Sequence, residues 1–149
     1  MNPSQLQLER HFFTKVRLDA HTDGKPETPN VLKAQLMVGQ ANENPKRFQL
    51  TLSLELLPPP EQIPAYSGEI HAVGFFRVND SCPQEMITKL VEVNGAAILY
   101  GAIREMILNL TSRGPWPGIC LNSVTFLRSE NGLTTEGTVV AKDAKPYHV

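Results

Sequence analysis

The sequence predicts an α+β fold in one domain over residues 1–149: a four-stranded antiparallel sheet with a long helix packed on one face. Three observations carry this. Four strand-like stretches follow one another before any helical pattern begins, which favours hairpin-linked antiparallel pairing over alternating βαβ units. A single long helical run comes afterwards, and it is apolar well beyond one face. Hydrophobic residues make up 41% of the chain and charged ones 19%, enough to close a core at a length that suits one domain.

The first strand is "LQLERHFFTKVRLDA", residues 6–20, with Leu6, Leu8, Phe12, Val16 and Leu18 in a period of two broken by Arg10 and Thr14. Gly24, Pro26 and Pro29 in "HTDGKPETPN" then exclude helix and central strand, so this stretch reads as a crossing loop. "VLKAQLMV" places Leu32, Ala34, Leu36 and Val38 on one side of a second strand, and "ANENPK" is a turn. In "FQLTLSLEL", Phe48, Leu50, Leu52, Leu54 and Leu56 alternate with polar residues, the pattern of a strand with one packed and one wet face. "PPPEQIP" ends it, because proline removes ladder donors. The fourth strand, "YSGEIHAVGFFRV", sets Ile70, Ala72, Gly74, Phe76 and Val78 against Glu69, His71 and Arg77. Val73 and Phe75 are apolar on its wet side, where they form either a subunit interface or part of a ligand groove.

Ser81 with Gln84 fits a capping box, and Pro83 suits a first helical turn. Met86, Ile87, Leu90 and Val91 give a short amphipathic helix expected to stop near Asn94 and Gly95. "AAILYGAIREMILNLTSR" then makes a helix of roughly 27 Å at 1.5 Å per residue. Its polar stripe is narrow: Arg104, Glu105, Asn109 and Ser112. One sheet covers only a stripe of about 100°, so the apolar surplus must meet a second element or subunit, with Leu99, Ile103, Met106 and Leu110 as interface candidates. Gly114 is expected in the left-handed residue after the helix, with Pro115 as a stop. Trp116, held between Pro115 and Pro117, either plugs the core under the helix end or lines an apolar cleft between helix and sheet. Asn131-Gly132 reads as a hairpin turn between "SVTFLRS" and "LTTEGTVV", and "KDAKPYHV" as a frayed tail.

The net charge of -1 offers no basic footprint for nucleic acid and no polybasic membrane patch. No apolar run reaches the ~18–20 residues of a spanning helix, so membrane insertion is not expected. "MNPSQLQLER" lacks the charged-then-apolar order of a secretory signal, and Cys82 and Cys120 are expected as free thiols in a reduced, cytoplasmic chain. His11, His21, His71 and His148 have no ligand spacing, neither cysteine has a histidine partner motif, and no nucleophile elbow or phosphate loop is present. No metal, cofactor or catalytic residue is expected, and the chain does not read as an enzyme. The alternatives are a binder of polypeptide, a plain oligomeric structural protein, or a small-ligand module. The last needs convergent polar groups that are not found.

"AILYGAIREMILNLTSRGPWPGICLNSVTF" resembles the helix and following loop of SecB-type export chaperones at Tyr100, Arg104, Glu105, Ser112, Arg113, Gly114, Trp116, Pro117 and Leu121. The first strand, "PNVL" and "GEIHAVGFFRV" resemble the family's strands in the same order, over about residues 6 to 126. The resemblance implies a homotetramer built as a dimer of dimers that holds unfolded polypeptide clients in the cytoplasm for the SecA motor. It implies motor contacts at Asp19 and Glu69 and client grooves between sheet, crossing loop and helical region. Read with the apolar residues above, it points to a groove of Met37, Val73, Phe75, Trp116 and Leu121. The chain departs from the family's usual strong acidity, carries Lys15 at a second acidic position of the first strand, and has a hairpin in place of a second amphipathic helix. Divergent members serve an antitoxin of a toxin–antitoxin pair, the alternative client here.

Overall fold

In the computed structural model, which describes residues 4–122, 124, 126–129 and 132–139, the four expected strands form β1 (Leu6–Ala20), β2 (Asn30–Gln40), β3 (Arg47–Leu57) and β4 (Tyr66–Val78). The expected hairpin is also present, as β5 (Leu127–Ser129) and β6 (Gly132–Val139). It extends the sheet to the order β1-β4-β3-β2-β6-β5, with every neighbouring pair antiparallel. Gly132 pairs with Ser129, so it opens β6; Asn131 of the expected turn and the expected tail lie outside the described residues.

β3 behaves as its alternation predicts. Leu50, Leu52 and Leu54 are at most 1% exposed, because a helix lies over them. β1 does not keep one phase. Its pairing with β4 shifts between Leu8 and Arg10 and again between Phe13 and Lys15. Each extra residue turns the following side chains to the other face. Leu6 and Leu8 therefore share the helix side with Phe76 and Val78, whereas Arg10 and Phe12 lie opposite Phe75 and Val73 on the open side. After the second shift Val16 and Leu18 return to the helix side, and Lys15, Arg17 and Asp19 take the open one. This is why the alternation of the first strand breaks at Arg10 and Thr14.

The crossing loop carries the chain from edge strand β1 past β4 and β3 to β2. It is tied to the β3–β4 connection by bonds from His21 N to Ala65 O (2.9 Å) and Lys25 N to Ile63 O (3.0 Å). Buried Asn30 ends it by donating its side-chain amide to Tyr66 O at 2.7 Å.

The helical half differs from expectation at three points, each with a physical reason. Ser81 and Gln84 form no capping box; instead the Asn79 side chain accepts a bond from Ser81 N (3.2 Å), a turn that competes with the cap. The helix does not stop at Asn94 and Gly95. A 3₁₀ turn (Gln84–Met86), α1 (Ile87–Lys89) and a wide π turn (Leu90–Asn94) run straight into α2 (Gly95–Thr111). Gly95 is not a stop but a point of close approach, since a Cβ there would overlap the Leu50 side chain. Uninterrupted, the run Gln84–Thr111 is long and apolar enough to span a membrane by length and composition, contrary to the expectation from shorter segments. Its inner stripe packs on the sheet: Ala96, Leu99, Tyr100, Ile103, Ile107 and Thr111 are buried. Finally, Gly114 does not take the left-handed conformation; it is small because the Tyr66 hydroxyl occupies the place of its side chain.

After the helix the chain folds back along it. Thr111 Oγ1 donates to Ile107 O (2.7 Å) and accepts from Ile119 N (2.8 Å), which seats Ile119, Leu121 and Phe126 in the core. Tyr100 donates to Asn122 O at 2.6 Å, and burial pushes its phenol up to about 12, so it stays a neutral donor. Cys82 and Cys120 are free thiols.

Candidate functional site

The sheet has one covered and one open face, and the open face carries an unusual amount of apolar surface for its position. At the end nearer Val78, a groove of about 770 Å³ runs across β1, β4, β3 and β2. Met37, Thr51 and Phe75 contribute to its floor, Arg10 and Arg47 stand at its edge, and Gly39 leaves it deep. Met37 is 65% exposed, far more than packing would leave a methionine with a neighbour above it. Phe75 stacks on Phe12 with ring centroids 5.9 Å apart, and the Arg10 guanidinium lies 5.1 Å from the Phe12 ring centre. Val73 is only 6% exposed; it stands opposite Phe12 and Thr51 and lies beneath this surface rather than in it.

β2 adds a second feature. Its pairing with β6 ends at Leu36, so among the described residues nothing pairs with that edge from Met37 to Gln40. An apolar floor beside a free backbone edge suits an extended chain, which gains ladder bonds from the edge and side-chain contacts from the floor.

The expected groove residues therefore separate. Met37 and Phe75 line the open face, with Val73 under it. Trp116 and Leu121 lie on the helix side. Leu121 is 1% exposed in the core, because Thr111 turns the chain inward there. Trp116 is half-buried under the helix end: its indole N–H donates to His21 O (2.9 Å), and its backbone N–H to the Tyr66 hydroxyl (3.1 Å). It clips the crossing loop to the helix terminus. Of the interface candidates, Leu99 and Ile103 are completely buried against the sheet and cannot meet a partner. Met106 and Leu110 are half-buried, and Leu110 shares a second groove of about 330 Å³ with Val16, Leu18 and Arg113. The apolar surplus of the helix is real but is offered by other residues: Met86, Val93 and Ile98 are 52%, 38% and 39% exposed. Sequence reasoning missed Phe12, Arg10 and Gly39; the broken alternation of the first strand was the available signal for the first two.

The sequence model of the family described as preprotein translocase subunit SecB matches residues 6–128. The chain belongs to the SecB family. The protein-export protein SecB of Psychrobacter arcticus is 25% identical over 125 residues, covering 82% of this chain and 83% of that protein. That of Bradyrhizobium diazoefficiens is 29% identical over 104 residues, 70% and 62% of the two chains. That of Anaplasma phagocytophilum is 26% identical over 81 residues, 53% and 51%, so the chain spans about half the length of this relative. Among solved structures, a SecB-like chaperone of Mycobacterium tuberculosis in complex with an antitoxin peptide superposes with a TM-score of 0.63 at 19% identity, covering 81% of this chain and 91% of that one. This likeness is one of fold.

Both acidic positions singled out by the resemblance are answered by basic side chains of the chain itself. Asp19 accepts a bond from Arg17 at 2.6 Å. Glu69 receives Lys15 at 2.9 Å and His71 at 2.5 Å. The bond from Lys15, then that from His71, holds the Glu69 carboxyl below its ordinary value of 4.5. Because the folded-state value is the lower one, the stabilisation is present above the ordinary carboxylate range and disappears as pH falls through the depressed value. Glu69→Gln is therefore expected to unfold at a slightly lower urea concentration than the parent at pH 7. The difference should shrink to nothing as pH drops below about 4.5, and a constant difference down to pH 3 would show that the pair contributes no such stability. Among the described residues no group of His, Cys, Asp or Glu is placed to hold a metal ion.

Proposed function

We propose that this chain is a holdase: as a homotetramer built from two dimers, it binds non-native polypeptides in the cytoplasm and passes them to the SecA translocase. The observation that carries the reading is the open-face groove, with exposed Met37 and half-buried Phe75 beside the stretch of β2 that no described residue pairs, in a chain of the SecB family. A holdase acts by mass action on unfolded chains and needs no reacting group. Modest contacts at several grooves of one assembly multiply through effective concentration. The relatives named as protein-export proteins support delivery to the export motor.

A second reading has its own observation. Asp19 and Glu69, the positions the resemblance links to the motor, are paired with Arg17 and Lys15, and Glu69 is also hydrogen-bonded to His71. A chaperone dedicated to an antitoxin would not need them free, and the fold neighbour is described with such a peptide bound.

Light scattering from a urea-denatured client diluted into buffer tests the holdase. The parent is expected to suppress aggregation, and the double variant Met37→Ser, Phe75→Ala to need about tenfold more chaperone for the same effect, with unchanged thermal unfolding. Full suppression by the double variant removes the groove from the account. Trp116→Ala is expected to act differently, by lowering stability through the loss of its bond to His21. Direct binding to purified SecA, against binding to an antitoxin fragment, separates the two readings.

A further inference from the structure

The end of the open face that holds the groove is also the end where unmatched positive charge gathers. Arg10, Arg47 and Arg77 all project from it; Arg47 stands directly opposite Arg77 across β3 and β4, and Arg10 directly opposite Phe75. Like charges facing each other on adjacent strands destabilise a sheet. One carboxylate answers them: Glu9 meets Arg47 at 3.3 Å. Arg10 rests on the Phe12 ring, and among the described residues neither it nor Arg77 has an ion-pair partner. At the other end of the same face, by contrast, the carboxylates of Asp19 and Glu69 are met by Arg17, Lys15 and His71. Arg10 thus lines the groove without a partner, and Arg77 lies just beyond it beside the rim residue Arg47, so unmatched positive charge flanks the groove.

Resting on the holdase reading, we infer that this groove selects extended apolar segments flanked by acidic residues. The apolar centre lies over Met37 and Phe75 along the β2 edge beyond Leu36, which no described residue pairs, and the flanking carboxylates reach Arg10 at the rim and Arg77 just beyond it. Each such contact is solvent-exposed and of modest strength, so the selection is one of flank charge, set on top of apolar binding, and is screened by salt. Gly39 sets the depth. A Cβ there would lie in ordinary contact, 3.8 Å from Gln49 O, so a large side chain fits the backbone and fills the groove.

The test uses fluorescence anisotropy with three labelled peptides that share a leucine- and phenylalanine-rich centre and differ in aspartate, serine or lysine flanks. The aspartate peptide is expected to bind about tenfold tighter than the lysine peptide at low salt, and within about twofold of it at 0.5 M salt. Arg10→Glu, with thermal unfolding as a folding control, is expected to narrow or reverse that order, weakening the aspartate peptide far more than the serine peptide. Gly39→Trp is expected to weaken all three. Equal binding of the two charged peptides, or aspartate-peptide binding untouched by Arg10→Glu and Gly39→Trp, overturns the inference and leaves the holdase standing. Failure to bind any of the three peptides overturns it too, and the holdase reading falls with it only if a denatured client is also not held.

Discussion

Gly68→Ala is expected to destabilise the chain by about 3 kcal/mol, although it adds a single methyl group. Gly68 lies in β4 between Leu18 of β1 and Leu56 of β3. A Cβ built on it overlaps the Arg17 carbonyl oxygen and comes within 3.0 Å of the Leu18 Cα. Both obstacles are backbone, so no rotamer change relieves them. β1 must move away from β4, and the ladder from Lys15 to Ala20 weakens together with the Lys15–Glu69 pair. In a chain of this length the loss corresponds to roughly 10 °C in melting temperature. Gly101→Ala is the matching control. Gly101 lies on the exposed side of α2 with nothing within 4 Å of its absent side chain, and alanine there is expected to add about 0.5–1 kcal/mol through helix propensity. If the two substitutions move the urea midpoint in the same direction and by similar amounts, the close packing of β1 on β4 is not what Gly68 provides.

The same edge strand shows how far a sequence can be read without its partners. The limits of β1 and β4, Leu6–Ala20 and Tyr66–Val78, follow from the extent of alternation and the prolines and glycines around it. β3 is legible down to its faces, because five alternating apolar residues and no bulge leave one phase. In β1 the phase is lost. Which face Phe12 joins is decided by register shifts after Leu8 and Phe13, and those depend on how β1 meets β4. The Asn94–Gly95 pair carries a genuine local stop signal, but the tertiary structure overrides it: continuing the helix brings Gly95 onto Leu50 and buries Leu99 and Ile103. Leu121 read as a groove residue through the family resemblance of its loop, and the bond from Ile119 N to Thr111 that turns it inward joins positions no local pattern relates. The groove itself was half visible. Met37 and Phe75 stand out as apolar residues on wet faces, but the cationic rim brings together Arg10 of β1 and Arg47 of β3, with Arg77 of β4 beside it, and appears only once their register is known.

Leu99→Ala and Met106→Glu are expected to fail in different ways, and the difference separates the core of a subunit from the proposed assembly. Leu99 is fully buried on the inner stripe of α2, with a methyl group 2.9 Å from where a Cβ on Gly74 would lie. Truncating it leaves a cavity between helix and sheet and should cost about 3 kcal/mol. That loss belongs to one chain, so the melting temperature should fall by the same amount at every protein concentration. Met106 is half-buried and removed from that stripe. It packs on the margin of the core with part of its side chain left exposed. A glutamate there gives up the packing at the core margin but can turn its carboxylate into water in a lone subunit, so the fold should survive with a modest loss of stability; in the proposed tetramer it would be a buried, unpaired charge. Sedimentation velocity should therefore show dissociation of Met106→Glu at concentrations where the parent and Leu99→Ala remain assembled. A parent that sediments as a monomer throughout would mean that the uncovered helix surface is not closed by further copies of this chain. The open-face groove of each chain would then have to hold a client without help from its neighbours.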